Sequence, residues 1–400
     1  MKVFECRLCK GNLSEPKLKF PSTPLANEFV ETRDVHQDVF PLEVCVCELC
    51  GHYQLNEQVD PERMFRHYLF VAGTSPINVE HFKNYANHMV EKFKLQPGSQ
   101  VLDIASNDGV LLKEFKKLGM GVLGIDPAKN IAAVASAEGI ETIAEFFTED
   151  LAHRMTGREF DLITANNVFA HVPDMIGFTK GVKKLLAPKG IYTFEVSYFG
   201  DVAEKLLFDT IYHEHTSYHT IKPLFNFFET HGLLLFKVER IETHGGSIRC
   251  YVCHDNSEVR NKLHHLDLSS FPQEKSIVQN VSQMQKCIRK LGNRLGQKMS
   301  LLKLENKSIA IFGTPAKATT LMYGLGIDPA MIDFAVDDAP LKQGRFTPGM
   351  HIPIFHPNAI YEKKPDVLLV LAWNFADSII KNHAEFGGKW IVPIPELKEI

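Results

Sequence analysis

The 400-residue sequence contains no unbroken apolar run long enough to span a bilayer, and its opening, MKVFECRLCK, lacks the apolar core of a secretory leader. A cytoplasmic protein without a membrane partner is therefore expected. An excess of one charge is missing too: 44 Lys and Arg stand against 48 Asp and Glu, a formal net charge of −4. Without the basic stripe of a nucleic-acid binder, RNA and DNA are disfavoured as partners. Internal repeats and low-complexity tracts are absent. What is present is 44% hydrophobic and 23% charged residues, the composition of a folded chain, and a length that calls for two or three domains.

Four regions differ in texture. Residues 1–60 hold five of the eight cysteines, with short strand-like pieces such as FPLEVCVC. Residues 61–255 open with a helical stretch, NVEHFKNYANHMVEKF, and then alternate buried strands (VLDIA, GVLGID, FDLITAN, GIYTFEVS, LLLFKVERI, SIRCYVC) with helices, which predicts a parallel sheet with right-handed crossovers. Residues 256–305 are charged and helical and form a connector. From 306 to 400 the alternation resumes with SIAIFG, MIDFAVDD, PDVLLVLAW and KWIVPIPEL. The fold class is α/β, with a small cysteine-rich head and two Rossmann-like units.

Cys6 and Cys9 form one C-x-x-C pair, Cys47 and Cys50 another. Each pair can sit on a tight turn with both sulfurs facing one ion, so the two turns complete a tetrahedral thiolate shell for zinc. In a reducing compartment metal is a better expectation than disulfides. Four thiolates leave no open position, so the zinc is structural. Cys45 is the spare thiol of this region. Cys250 and Cys253 would face opposite sides of a strand and are expected to be packing residues, as is Cys287.

The strongest cofactor signal is VLDIASNDGVLLKEF. A buried strand ends at Asp103, a turn of small and polar residues follows (Ala105, Ser106, Asn107, Asp108), and a helix begins near Val110, with Gly109 keeping side chains clear of a ligand. GVLGIDPA ends the next strand with Asp126, placed to accept both ribose hydroxyls of an adenosine. No G-x-G-x-x-G occurs here. Asp103 suits the ammonium of a methionine moiety and would repel a pyrophosphate. Asn166 and Asn167 lie at the end of a fourth strand, near where a sulfonium belongs, and Glu145 and Phe146 could border an adenine. The site therefore points to S-adenosylmethionine (SAM). FDTIYHEHTSYHT brings Tyr212, His213, Glu214, His215, Tyr218 and His219 within eight positions, a set of proton-transfer groups that is costly to keep as core packing. Methyl transfer to carbon needs such a set, because a C–H beside a carbonyl must lose its proton and the enolate must be stabilised. THGGSIRCYV adds His244 and Arg249.

The order C-x-x-C…C-x-x-C, VLDIASNDG, ANNVFAHVPD, YHEHTSY and THGGSIR, followed by a second Rossmann-like unit, resembles the nucleotide-sugar C-methyltransferases, notably the deoxysugar C-3-methyltransferases of antibiotic pathways. The likeness covers nearly the whole chain. It implies a zinc-binding head, a SAM-dependent methyltransferase domain and a C-terminal domain that helps hold a nucleotide-linked (dTDP or related) 4-keto deoxyhexose methylated at C-3. The family's Tyr-x-Glu-His falls on Tyr212, Glu214 and His215, with His215 as the base and the other two positioning sugar and base. His171 of ANNVFAHV would stand beside the reacting carbon, and Tyr68 is the nearest match to a family tyrosine preceding the SAM domain, in surroundings that depart from the usual serine-rich pattern. Ala105 departs from a glycine common in the family; alanine fits there if its φ is negative. In the last hundred residues Thr314 and Lys317, within SIAIFGTPAKATTLM, are expected at the diphosphate. A monomer is expected. A nicotinamide-dependent sugar-nucleotide oxidoreductase or epimerase would need a glycine-rich fingerprint that neither Rossmann-like half has, and a non-catalytic zinc adaptor would have lost the proton-transfer groups that this chain keeps.

Overall fold

A computed structural model of the protein describes residues 1–66, 68, 71–255, 269 and 271–400, the side chain of residue 244 excepted. The head is an antiparallel sheet of β1 (Leu18–Thr23), β2 (Phe40–Val46) and β3 (Tyr53–Leu55). Leu18, Leu42 and Val44 are fully buried, so one face of this sheet rests on the body of the protein. The helix Pro76–Phe93 follows, with Ser75 as N-cap accepting from the Asn78 N–H and Pro76 in the first turn, where its missing N–H is not needed. Tyr85, Ala86 and Met89 form its buried stripe.

The middle sheet contains β4 (Gln100–Ile104), β5 (Gly121–Ile125), β6 (Thr142–Ile143), β7 (Phe160–Thr164) and β8 (Leu186–Ser197), all parallel. The two-residue β9 (Ser217–Tyr218) leaves this domain to pair with β3 of the head. β10 (Leu233–Ile241) and β11 (Ser247–His254) complete a seven-stranded sheet of order β10-β11-β8-β7-β4-β5-β6. The expected all-parallel sheet needs correction, because β11 runs antiparallel to both of its neighbours. Only residues 242–246 join β10 to β11, too few for a crossover, and a short link fixes antiparallel pairing. Cys250 and Cys253 lie buried on opposite faces of β11, in separate core clusters, as the strand pattern implied.

In the C-terminal unit β12 (Ile309–Phe312), β13 (Phe334–Val336), β14 (Ile354–Phe355), β15 (Val367–Val370) and β16 (Lys389–Val392) are parallel, and β17 (Lys398–Glu399) closes one edge antiparallel to β16. The sheet order is β14-β13-β12-β15-β16-β17. Among the described residues, no helix is long and apolar enough to cross a membrane.

The 32-residue helix Gln273–Leu304 ties the units together. Ile277, Val281, Met284, Ile288, Leu291, Leu295 and Met299 recur at helical spacing on one buried face. They share one core cluster with Leu18 and Leu42 of the head, Phe199 and Phe208 of the middle domain, and Ile309 and Leu369 of the C-terminal sheet. Cys287, expected to pack, is instead exposed, because it lies off that stripe. Two glycines interrupt the helix, and their surroundings differ. A Cβ on Gly292 would meet the carbonyl oxygen of Leu325, at the end of helix Ala318–Leu325, at 2.6 Å; one on Gly296 would meet nothing within 4 Å. Gly292→Ala is therefore expected to destabilise the fold by about 1–3 kcal/mol through overpacking. Gly296→Ala is expected to stabilise it by up to about 1 kcal/mol, the ordinary helix-propensity gain. Denaturant titration of both variants decides; a gain at Gly292 would mean that the helix is not seated on that carbonyl.

Candidate active site

Two turns of the head bring four sulfurs together. The ligand atoms of Cys6, Cys9, Cys47 and Cys50 all lie within 4.8 Å of one another. Cys6 and Cys50 Sγ are 3.6 Å apart, Cys9 and Cys47 Sγ 3.4 Å. A tetrahedron with Zn–S bonds of 2.3 Å has edges of about 3.8 Å, so the donor set fits structural zinc. Cys45 points elsewhere on β2 and stays outside the cluster. Between the first two ligands, buried Arg7 donates from Nη1 to the carbonyls of Leu55 (2.8 Å) and Thr216 (3.3 Å), linking the zinc turn to the residue after His215.

The cofactor turn follows β4. Ala105, Asn107 and Gly109 have φ of 55°, 51° and 74°, so every second residue is left-handed. The condition of a negative φ at Ala105 is not met: alanine occupies a conformation that glycine adopts freely, at a cost on the order of 1–2 kcal/mol. The turn is held there by its neighbours. Ser106 N–H bonds the Ile125 carbonyl at 3.1 Å, Asn107 N–H bonds Asp126 Oδ2 at 2.9 Å, and the Asn107 side chain accepts from Ala72 N–H at 2.8 Å. Asp126 Oδ1 accepts from Ala128 N–H, which fixes the carboxylate at the end of β5.

Asp103 is 5% exposed, and its Oδ1 accepts from the Thr164 hydroxyl at 2.5 Å. Burial, aided by repulsion from Asp126, pushes its carboxyl up to about 7 against the pull of Thr164. Both side-chain polar atoms of Asn166, and Asp108 Oδ1, are buried without a hydrogen-bond partner among the described residues. Two buried carboxylates and an unsatisfied amide at the carboxyl ends of β4, β5 and β7 suit a cationic ligand with hydroxyls, and SAM carries both an ammonium and a sulfonium. Arg154 pairs with Glu145, and Arg66, which bonds the Pro127 carbonyl next to Asp126, lies over the Phe146 ring.

The segment 212–219 follows the short helix Phe208–Thr210. His215 Nδ1 lies 2.7 Å from the Thr210 carbonyl, which only accepts, so Nδ1 carries the proton. Nε2 is then the lone-pair nitrogen, and the Tyr212 hydroxyl donates to it at 3.0 Å. The His171 ring meets His215 edge-on at 4.7 Å, and burial, then the neighbouring His215, hold His171 well below the usual imidazole range. Glu214 is 2% exposed. Its Oε1 accepts from Asn27 Nδ2 at 2.7 Å and its Oε2 from the Tyr68 hydroxyl at 3.2 Å, yet burial still pushes the carboxyl up to about 7. Phe65 bridges the rings of Tyr68 and His171. Tyr68, His171, Tyr212, Glu214 and His215 thus form one cluster; beside it the Ala72 and Gly73 N–H groups bond Asn107 and Asp108 of the turn after β4, and Asn130 Nδ2 bonds the Tyr68 carbonyl.

The remaining expectations fare differently. Arg249 does not offer a free guanidinium: its Nε bonds Glu195 Oε1 at 2.7 Å across the β11–β8 pairing, and its carbon lies 4.6 Å over the Tyr85 ring. Thr314 gives both its N–H (2.7 Å) and its hydroxyl (2.8 Å) to buried Asp337, leaving neither to a diphosphate. Lys317 is buried 4.2 Å over the Trp373 ring and 3.6 Å from Asp209, at the junction of the middle and C-terminal units. The side chain of His244 lies outside the described residues. Asn27, His81 and Glu195 were not singled out in the sequence. His81 Nε2 meets Glu195 Oε2 at 2.9 Å, joining helix Pro76–Phe93 to the end of β8. A lone Asn in a loop and a lone Glu in an apolar strand carry no spacing signal, so contact alone reveals them.

Three family models match in succession: a zinc binding domain over residues 6–65, a methyltransferase domain over 79–238 and a C-methyltransferase C-terminal domain over 242–395. The C-methyltransferase NovU of Streptomyces niveus is 34% identical over 407 residues, covering 100% of this chain and 97% of that protein. The ubiquinone biosynthesis O-methyltransferase of Xanthomonas oryzae pv. oryzae is 34% identical over 98 residues, 23% of this chain and 41% of its own. Among solved structures, an S-adenosylmethionine-dependent methyltransferase from Clostridium acetobutylicum is 13% identical, covering 44% of this chain and 92% of its own with a TM-score of 0.37. The protein is a SAM-dependent methyltransferase with a zinc-binding head. More narrowly, the chain belongs to the C-methyltransferase family.

Two outcomes follow from this geometry. The Asp103 carboxyl must be ionised to pair with an ammonium, and burial raises its pKa, so SAM binding weakens as pH falls. The dissociation constant of SAM is expected to rise about tenfold from about pH 8 to pH 6, as a carboxyl titrating near 7 becomes protonated. Asp103→Asn should lose both affinity and pH dependence in calorimetry; a flat wild-type profile would remove Asp103 from the ammonium site. Metal analysis should find one zinc per chain, and Cys47→Ser should lose it. Because the zinc turns are tied to Thr216 and Leu55, that loss should abolish methyl transfer as well as lower the melting temperature. An active, zinc-free Cys47→Ser protein would show that the head and the site are independent.

Proposed function

We propose that the enzyme transfers the methyl group of SAM to C-3 of a nucleotide-linked 4-keto-6-deoxysugar, acting as a monomer. The observation that carries this reading is the fixed tautomer of His215. With Nδ1–H held by the Thr210 carbonyl, Nε2 is the acceptor, in a site whose second histidine is kept neutral by burial. Such a base suits removal of a proton beside a ketone.

When bound, SAM supplies an electrophilic methyl on a sulfonium. His215 Nε2 takes the C-3 proton as the substrate displaces the Tyr212 hydroxyl from it. The Tyr212 hydroxyl, kept protonated by burial, is then the donor for the O-4 enolate, while the Tyr68 hydroxyl keeps its proton on Glu214. Glu214 orients the sugar as a hydrogen-bond acceptor. With SAM in place the enolate's electron pair would form the new C–C bond as the sulfonium C–S bond breaks, and His215 then releases its proton to solvent. Lys317, at the junction with the C-terminal unit, is the remaining candidate for the nucleotide diphosphate. Its cation is already faced by Asp209, so it would contribute less than a free lysine.

The test uses methyl-labelled SAM and a panel of nucleotide-linked 4-keto-6-deoxysugars, with the carbon connectivity of the product read by NMR. A new C–CH₃ bond is expected, and His215→Asn should lower its formation by about 100-fold or more. Deuterium exchange at C-3 in the presence of S-adenosylhomocysteine should persist in wild type and vanish in that variant. A methyl on oxygen or nitrogen would end the carbanion mechanism, and undiminished exchange in His215→Asn would mean another base.

A further inference from the structure

The head also reaches into the site with a side chain. Asn27 lies in the loop after β1, between the buried Leu25 and Ala26 and the buried Phe29, which packs in the same core cluster as Leu18 and Leu42. From this seated loop its Nδ2 donates to Glu214 Oε1 at 2.7 Å, while the Tyr68 hydroxyl donates to Oε2 at 3.2 Å. One donor on each oxygen pins the carboxylate plane, which otherwise turns freely about its last torsion. We infer that Asn27 is a positioning residue of the methyl-transfer site, holding the Glu214 carboxylate so that its remaining lone pairs face the substrate. The zinc-stabilised head thereby takes part in catalysis. This rests on the proposed role of Glu214 toward the sugar.

The choice of residue fits that task. Asparagine offers a donor that does not titrate, whereas aspartate at this distance would set two carboxylates against each other. Among the described residues the other titratable groups facing Glu214 are the phenols of Tyr68 and Tyr212, both pushed well above their usual range by burial, so neither ionises near neutrality. His215 is the next residue, with neutral His171 against it. The Glu214 carboxyl thus has Asn27 and Tyr68 as its stabilising donors.

The experiment compares wild type, Asn27→Ala, Asn27→Asp and Glu214→Gln as full-length, zinc-loaded protein. Carbon-13 NMR of chains labelled at the glutamate carboxyl follows Glu214, whose signal is assigned by its loss in Glu214→Gln. Methyl-transfer assays give kcat and KM. In Asn27→Ala the Glu214 titration should move up by about one pH unit and kcat fall by about 100-fold, with the KM for SAM and the zinc content unchanged. Asn27→Asp, equal in size, should move the titration further in the same direction. An unmoved Glu214 titration in both variants overturns the proposal, as does a moved titration with wild-type kcat. A loss of kcat matched by loss of zinc and SAM binding also overturns it, since that is the mark of a folding role. Should wild type methylate no 4-keto sugar, the substrate assignment falls by itself, and the carboxyl titration still decides whether Asn27 holds Glu214.

Discussion

Main-chain pairing of Tyr53 with Tyr218 and Gln54 with Ser217 makes the end of the segment 212–219 the fourth strand of the head's sheet. Everything around that segment is arranged to hold it. His213 Nε2 donates to the Pro41 carbonyl, and Leu55 N–H and Arg7 both reach the Thr216 carbonyl. The middle domain contributes the Ala170 carbonyl, which accepts from Ser217 N–H and the Thr216 hydroxyl. The C-terminal unit contributes the Thr320 hydroxyl, which donates to the Ile211 carbonyl. A run of irregular chain rich in His, Tyr and Glu has too many polar groups to be buried by one domain's packing. Three domains surround it because each supplies partners that the others lack.

The buried carboxylates fall into two kinds, and the difference marks the site. At Glu195 burial pushes the carboxyl up, but His81 and Arg249 outweigh it and the net shift is downward. At Asp337 burial is outweighed in the same way by Lys342 and by Ala339 and Thr314. Both groups are internally compensated and hold elements together. Asp103, Asp126 and Glu214 are shifted upward, by burial first in every case, and none has a basic side chain among its partners in the described residues. Buried charge without a counter-charge persists in a fold when something else completes it. For Asp103 and Asp126 a ligand carrying positive charge and hydroxyls would do so; Glu214 has the neutral donors Asn27 and Tyr68.

How much of this the sequence discloses depends on whether a residue's role is local. The zinc ligands sit in two C-x-x-C turns, and the cofactor residues sit at strand ends, so spacing alone points to both. Tyr212, Glu214 and His215 stand out because such residues rarely crowd together without chemistry to do. The antiparallel β11 was missed because a Rossmann-like alternation says nothing about where a hairpin is inserted. The negative φ expected at Ala105 is not found because the next two residues, Ser106 and Asn107, donate their N–H groups to Ile125 and Asp126, distant in sequence, and hold the turn left-handed. Cys287 was judged by residue type, although the stripe of the long helix passes it by.

Thr314 exposes a deeper ambiguity, because the two Rossmann-like units contain the same turn. In the middle domain Asp126, ending β5, accepts the turn's Asn107 N–H with one oxygen and the N–H two residues after itself, of Ala128, with the other. In the C-terminal domain Asp337, just after β13, accepts Thr314 N–H with one oxygen and Ala339 N–H, again two residues on, with the other. From sequence both are strand, turn, helix and acidic strand end. What separates them is the second set of partners. The Thr314 hydroxyl and the Lys342 ammonium add themselves to Asp337 Oδ2, so the lone pairs that a ribose would need are already taken. Among the described residues Asp126 has two main-chain donors and keeps lone pairs to offer. The same device is thus open in the middle domain and closed in the C-terminal one by a threonine and a lysine.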